Sequence, residues 1–289
     1  MSRQAILLFF MSIAVSGFNQ SDSFKRAFEF GVMGGGSYYI GDLNPLGHFI
    51  YSKPACGLIM RYNLSTRHSM RITTSYGNVC GADSKSNDSY QLNRNLSFNS
   101  SIIELALGFE LDLVKYRIND MKYPISPYFF YEIAYFRMNP KVKNNNGGDD
   151  IVLQELGTEG QGTLLSDKKP YSLNQISIPL GIGLKFNIKK RIAISVEYGI
   201  RKTFTDYLDD VSGKYVNPFV LADLKGPLAA ELADPSLNGQ SYSTLGLDRG
   251  NSNTKDWYAM YGVMITFKPW KHNICDMQGM GGGKKRRRR

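Results

Sequence analysis

The chain has 289 residues, with 35 Lys and Arg against 25 Asp and Glu for a formal charge of +10, and with 12% aromatic residues, 18 Tyr, 16 Phe and 29 Gly. Six of those positive charges are Lys284, Lys285, Arg286, Arg287, Arg288 and Arg289, which leaves only +4 for everything before them and argues against nucleic acid as a partner, because phosphate recognition needs cations clustered on a folded surface. The composition suits β-strands and tight turns.

At the start, Arg3 precedes an apolar run from Ala5 to Val15 and the small residues Ser16 and Gly17, the pattern of a secretory signal peptide expected to occupy residues 1–21. The run is too short for a spanning helix, which takes roughly 20 residues, and no later run is longer. No cysteine stands among Phe18, Asn19, Gln20 and Ser21, so no lipid anchor is expected. Residues 22–269 are then expected to form one domain, and residues 270–289 a basic tail.

Strand-like alternation, with large apolar residues at every second position, runs through eight segments. They are Phe28 to Ile40, Ala55 to Leu64, Ser69 to Cys80, Ile103 to Leu113, Pro127 to Phe136, Gln175 to Ile188, Ile192 to Ile200 and Trp257 to Phe267. The clearest is Gln175 to Ile188, where Ile176, Ile178, Leu180, Ile182, Leu184, Phe186 and Ile188 alternate with small or polar residues. With Lys189-Lys190 as the turn, it and Ile192 to Ile200 read as a hairpin. Strands of soluble proteins average 5 to 6 residues, whereas a lipid-spanning strand needs about 9 to 11. In a bilayer every backbone amide must be paired, so spanning strands close on themselves. The expectation is an all-β fold, an eight-stranded antiparallel transmembrane β-barrel, with both termini periplasmic at the cell outer membrane.

Connection lengths support that orientation. Ser65 to His68 and Lys189-Lys190 are tight and Lys115 to Ser126 is moderate, as periplasmic turns would be. Gly41 to Pro54, Ser84 to Asn95, Asn139 to Asn174 and Thr205 to Asp256 are long, and the last two are expected to build an outer domain.

If lipid covers the apolar set, the opposite parity sends Glu29, Arg61, Arg71, Glu104, Glu110, Glu132, Lys185, Glu197 and Arg201 into the lumen. Eight strands leave an interior just wide enough for side chains to fill, so these charges are expected to pair and plug the barrel rather than conduct. Cys56 and Cys80 share the outward parity of adjacent strands near one rim, and a disulfide between them is the candidate pairing, with Cys275 left over. His48, His68 and His272 fall in different connections and cannot form one metal site. Asp206, Asp209 and Asp210 with Tyr207 offer oxygen ligands for a cation, but acidic loop residues ordinarily face solvent, so no metal and no cofactor is expected. No Ser, His and Asp group marks a catalytic site, no small-molecule substrate is indicated, and the chain is expected not to be an enzyme. The basic tail suits an acidic periplasmic partner.

The last strand, Met260 to Phe267, resembles the terminal-strand signal of outer-membrane barrels through Gly262, Ile265 and Phe267, although Met260 replaces a usual polar residue and Lys268 to Arg289 follow. Three segments together, Glu29 to Asn44, the hairpin around Ile176 to Tyr198, and Thr205 to Tyr215, resemble the PorG family, outer-membrane barrel components of the type IX secretion system of Bacteroidetes. The resemblance implies a barrel that contacts the periplasmic PorK and PorN ring and supports export of proteins with a C-terminal signal. Two other readings stay open: a general OmpA-like or OmpX-like barrel acting as adhesin or membrane stabiliser, and a lipid-modifying barrel enzyme with a catalytic cluster at one rim.

Overall fold

The computed structural model describes residues 27–269 except 46, 119–121, 145–146, 190 and 238–243. The expected signal segment and the basic tail, with His272 and Cys275, lie outside the described residues.

Eight long strands follow the alternating segments: β1 (Ala27–Ile40), β2 (Lys53–Asn63), β3 (His68–Ala82), β4 (Ser97–Asp112), β5 (Ile125–Val142), β7 (Asn174–Lys189), β8 (Ile192–Thr203) and β9 (Trp257–Phe267). Each pairs antiparallel with the next, and β9 returns to β1 with Phe30 opposite Phe267 and Ile40 opposite Trp257. The sheet is therefore a closed barrel without a free edge, and both ends of the described chain leave it on the side of the short connections. A two-residue strand, β6 (Ile151–Val152), pairs only with the last residues of β5 and belongs to the long connection after it.

Period two decides which side chain meets what. On β5, Ile133 is 68% exposed while its neighbour Glu132 is 3% exposed, and the same alternation runs along the long strands, giving way to continuous burial at Gly36 to Tyr39 of β1 and Tyr258 to Met260 of β9. The outward residues of β5 are apolar from Ile125 to Tyr135 and become polar at Arg137, Asn139 and Lys141; on β4 the change falls between Ser101 and Ile103, the partners of Asn139 and Arg137. Ten residue steps of about 3.3 Å, tilted by about 40°, give an apolar belt about 25 Å tall. In water so large a contiguous apolar surface would be unstable.

Inside, the Tyr128 and Phe130 rings lie over the neighbouring strands, and residues 181, 183 and 199 are Gly because Gly181 and Gly183 on β7 stand opposite those rings and Gly199 on β8 stands opposite Gly181: a Cβ at Gly199 would sit 2.7 Å from the Phe130 ring. The long connections fold over one end. They contain α1 (Ser89–Arg94), capped by the Asp88 carboxylate at Tyr90 and Gln91, the single turn α2 (Leu153–Leu156), and α3 (Pro218–Lys225) and α4 (Pro227–Ala233), joined by Gly226 with φ of 96°. The expected disulfide does not form: Cys56 stands opposite Tyr76 and Cys80 opposite Asn99, both cysteines are free, and four residues of stagger separate them by about 13 Å along the strand.

Candidate functional site: the filled lumen and the capped mouth

The lumen is layered. Nearest the short connections, Tyr116 and Ile118, from the connection between β4 and β5, tuck beneath the barrel and pack on Ala193, with the Tyr116 amide held by the Thr66 carbonyl at 2.8 Å. The connection expected to be a moderate periplasmic turn is also a plug, because Tyr116 and Ile118 find their apolar surface inside the opening.

The middle layer is ionic and holds the nine residues singled out by parity, all buried. Glu110 is its hub, 2.9 Å from Arg61 and 3.3 Å from Arg71 and bonded also to Lys185. Arg71 reaches Glu132 at 3.1 Å and Glu197 at 2.9 Å, and stacks over the Phe130 ring. Arg201 meets Glu104 at 3.4 Å. Glu29 is the exception: it takes a hydrogen bond from the Asn63 side chain at 2.7 Å instead of a cation. Parity could also have found Asp112, 2.9 Å from Lys185, and Tyr258, whose hydroxyl donates to Glu104 at 2.6 Å, since both continue the inward series of their strands.

Above this lies an apolar layer in which Tyr39, Val79, Phe98, Ile102, Phe136, Met138, Tyr258 and Met260 from the strands pack against Leu43, Leu153, Tyr171, Leu208 and Val211 from the connections. The cap above is built by all four long connections, not by the last two alone. Asp42 accepts Gln91 and Arg94 on its carbonyl and the Asn251 amide on its carboxylate, and Arg94 also donates to the Arg249 carbonyl at 2.7 Å. Arg249 in turn donates to Glu159 at 3.3 Å and to the Ala233 carbonyl at 3.0 Å.

The acidic run 206–210 is buried rather than solvated, and its carboxylates diverge. Asp209 accepts the Tyr39 hydroxyl at 2.5 Å, and Asp256 contacts that same hydroxyl at 2.9 Å. Asp210 accepts Thr158 and Tyr171, each at 2.6 Å. Asp206 faces a different cavity, with Lys255 close enough to act on it. Burial pushes Asp206 and Asp210 up to about 6 and raises Asp209 and Asp256 well above the usual carboxylate range, each of the latter pair further raised by nearby carboxylates. Among the described residues no three His, Cys, Asp or Glu side chains converge as metal ligands. His48 lies at the long-connection end, near the Tyr38 hydroxyl, and His68 starts β3 at the other end. Arg249, Glu159 and Asp256 escaped sequence reasoning because they sit in irregular segments without a period.

Among solved structures, the chain is similar to the attachment invasion locus protein Ail of Yersinia pestis in complex with the heparin analogue sucrose octasulfate (11% identity, TM-score 0.40, 85% of this chain and 100% of that one). It is similar also to Neisserial surface protein A (8% identity, TM-score 0.42, 85% and 100%) and to the outer membrane protein OprG of Pseudomonas aeruginosa (11% identity, TM-score 0.36, 84% and 98%). No curated protein matches the sequence. Residues 5–156, just over half of the chain, match the family described as Domain of unknown function (DUF6089), and the chain belongs to that family.

Proposed function

We propose that this protein is a non-enzymatic, non-conducting barrel of the cell outer membrane that works by holding and contacting other components at its two ends. The observation that carries this reading is the belt about 25 Å tall around a lumen closed by its own side chains. A belt of that height matches a hydrocarbon layer, and a filled interior leaves the ends as the working surfaces. In this reading the long connections face outward and both termini lie in the periplasm.

The finer reading is a component of type IX secretion that meets the PorK and PorN ring. Two of the segments that resemble the PorG family converge in the fold: Tyr39 and Asp42 from the first meet Asp209 and Asn251 in the cap, and Asp209 belongs to the third. The short-connection end displays Arg67, Lys115, Lys122 and Arg191 and no exposed carboxylate among its described residues, a face suited to an acidic partner. The general adhesin or stabiliser reading is favoured instead by the order of the cap, whose four connections are cross-bonded into a platform.

Crosslinking in whole cells with a tag in an exposed long connection, followed by mass spectrometry, separates the two. Recovery of ring proteins with the outer-membrane fraction supports the secretion reading, and loss of that recovery on truncation after Pro269 assigns the contact to the tail. Cargo export intact in a deletion strain, with no ring protein recovered, supports the platform reading. Recovery of the protein in a soluble fraction would overturn both.

A further inference from the structure

The connection between β1 and β2 does not stay in the cap. Its first part is fixed there: the Asn44 side chain donates to the Tyr39 carbonyl at 2.7 Å and to the Gly47 carbonyl at 2.9 Å, and accepts the Gly47 amide at 3.0 Å. Beyond that bracket His48 and Phe49 turn down over the outer wall of the barrel. The Phe49 ring lies 5.0 Å from Tyr38, 5.1 Å from Tyr261 and 5.9 Å from Tyr198, three residues that point outward from β1, β9 and β8. The Tyr38 hydroxyl shares hydrogen bonds with His48 Nδ1 at 3.1 Å and with the Tyr198 hydroxyl at 2.8 Å. Under this arm Tyr38 is fully buried although its parity is outward. Gly36 gives the saddle its shape, because the Tyr261 ring lies over it and a Cβ there would sit 2.7 Å from the Tyr261 hydroxyl.

Strand register sets the depth of the arm. The outward residues of β9 are apolar or aromatic without a break from Trp257 to Phe267, the same span as the belt on β5. Tyr261 stands four residues in from Trp257, which at about 3.3 Å per residue and about 40° of tilt is about 10 Å below the rim. Phe49 therefore lies within the upper part of the belt. Phe49 and Ile50, 52% and 70% exposed, extend its apolar surface outward.

The backbone of the arm is not served by the protein. The Ser52 amide donates to the Phe49 carbonyl at 3.4 Å, but the amides of His48, Phe49, Ile50 and Tyr51 donate to no described residue. Hydrocarbon offers such groups nothing, so at this depth their acceptors must come from the phosphate and ester oxygens of lipid. The charges agree: residues 45–54 contain His48 and Lys53 and no carboxylate, and Lys85 lies 5.2 Å over the Tyr51 ring.

We propose that residues 47–51 form a lipid-binding arm seated in the outer leaflet, with Phe49 and Ile50 against acyl chains and the four amides, His48 and Lys53 directed at phosphate and ester oxygens. This rests on the outer-membrane reading above, which the test separates from the arm itself.

The full chain is reconstituted in phosphatidylcholine bilayers with both native tryptophans, Trp257 and Trp270, replaced by Phe. Single tryptophans are then placed by Tyr131→Trp in the middle of the belt, Phe49→Trp in the arm and Leu164→Trp in the cap, where Leu164 is 98% exposed. Fluorescence quenching is measured with phosphatidylcholine brominated near the ester end or near the methyl end of its chains, and heat-dependent gel mobility checks that each variant is folded. Phe49→Trp is expected to lose more emission to the ester-end bromines, Tyr131→Trp more to the methyl-end bromines, and Leu164→Trp none to either. If Phe49→Trp behaves like Leu164→Trp, the arm stands in water and the proposal is overturned. Emission from Phe49→Trp that is blue-shifted, unquenched and dependent on the protein-to-lipid ratio assigns the arm to a contact between copies of the chain, and also overturns it. Absence of quenching at Tyr131→Trp as well means that the belt does not face lipid, so the membrane reading fails and the arm falls with it.

Discussion

A proton count at Tyr39 governs the chemistry of the cap. Its hydroxyl carries one hydrogen but lies between two buried carboxylates, Asp209 at 2.5 Å and Asp256 at 2.9 Å. It can donate to one, so the other must keep a proton and donate to it. Burial and the charge of neighbouring carboxylates raise both carboxyls, in agreement with that count. Raised folded-state values fix the sign of the pH effect: above the unfolded value near pH 4 the folded state binds more protons than the unfolded one, so stability falls as pH rises. Asp210, held at about 6, adds a loss between about pH 4 and pH 6, and Asp209 with Asp256 extend it upward. Hydrogen exchange at the Leu208 and Val211 amides, corrected for intrinsic rates, should therefore be slower at pH 5 than at pH 8. Asn at position 209 can still accept from the Val211 amide and can donate to Tyr39, so Asp209→Asn should flatten that dependence and leave the cap at least as protected at pH 8; steeper dependence in the variant would contradict the shared proton. In the lumen the same logic runs with charges. Glu110 neutralises Arg61, Arg71 and Lys185 together, so Glu110→Ala should cost about 3–5 kcal/mol in denaturant unfolding from micelles, because it strands buried cations.

At the scale of one strand, β5 shows what the belt demands. Tyr131 lies mid-belt and Arg137 beyond its edge, both pointing outward. Tyr131→Arg should cost about 2–4 kcal/mol in a bilayer, while an Arg137→Ile change, near the interface, should move stability by less than about 1 kcal/mol. Equal costs at the two positions, measured by unfolding in vesicles, would sink the placement of the belt edge. Alternation of this kind is why the strands were legible: each spanning residue answers to lipid or lumen with period two, and the registers Glu29 opposite Arg61 and Arg61 opposite Arg71 set inward charges side by side on adjacent strands. The same rule misled at the cysteines, where parity was right but height depends on where the tight turn closes, and one uncertain turn moves every residue of the next strand. Of the cap, connection length announced an outer domain from the last two connections, but not its internal contacts or the share of the first two. Arg249 meets Glu159 across 90 residues of chain, and Tyr39 meets Asp256 across 217, through segments whose backbone follows no repeat.

For the whole molecule, closure in series is the controlling feature. An apolar plug from Tyr116 and Ile118, an ionic layer around Arg71 and Glu110, and an apolar layer roofed by the cap lie one above another, so opening any one leaves the other two shut. A water-filled pore needs all three to part, and the ionic layer parts least readily because separating its members exposes unpaired charge to a narrow, poorly solvated space. In planar bilayers the protein should show no discrete conductance, and loosening the cap by deleting residues 147–170, which takes out Leu153, Thr158 and Glu159, should leave it silent, since the two lower layers stay filled. Tyr116→Gly in the full chain should likewise be silent. Only combining the deletion with Tyr116→Gly and Glu110→Ala, which thins every layer, is expected to give flickering openings. Steady conductance from the unaltered protein would mean that the layers part in the membrane, and the two ends could then no longer be taken as the only working surfaces.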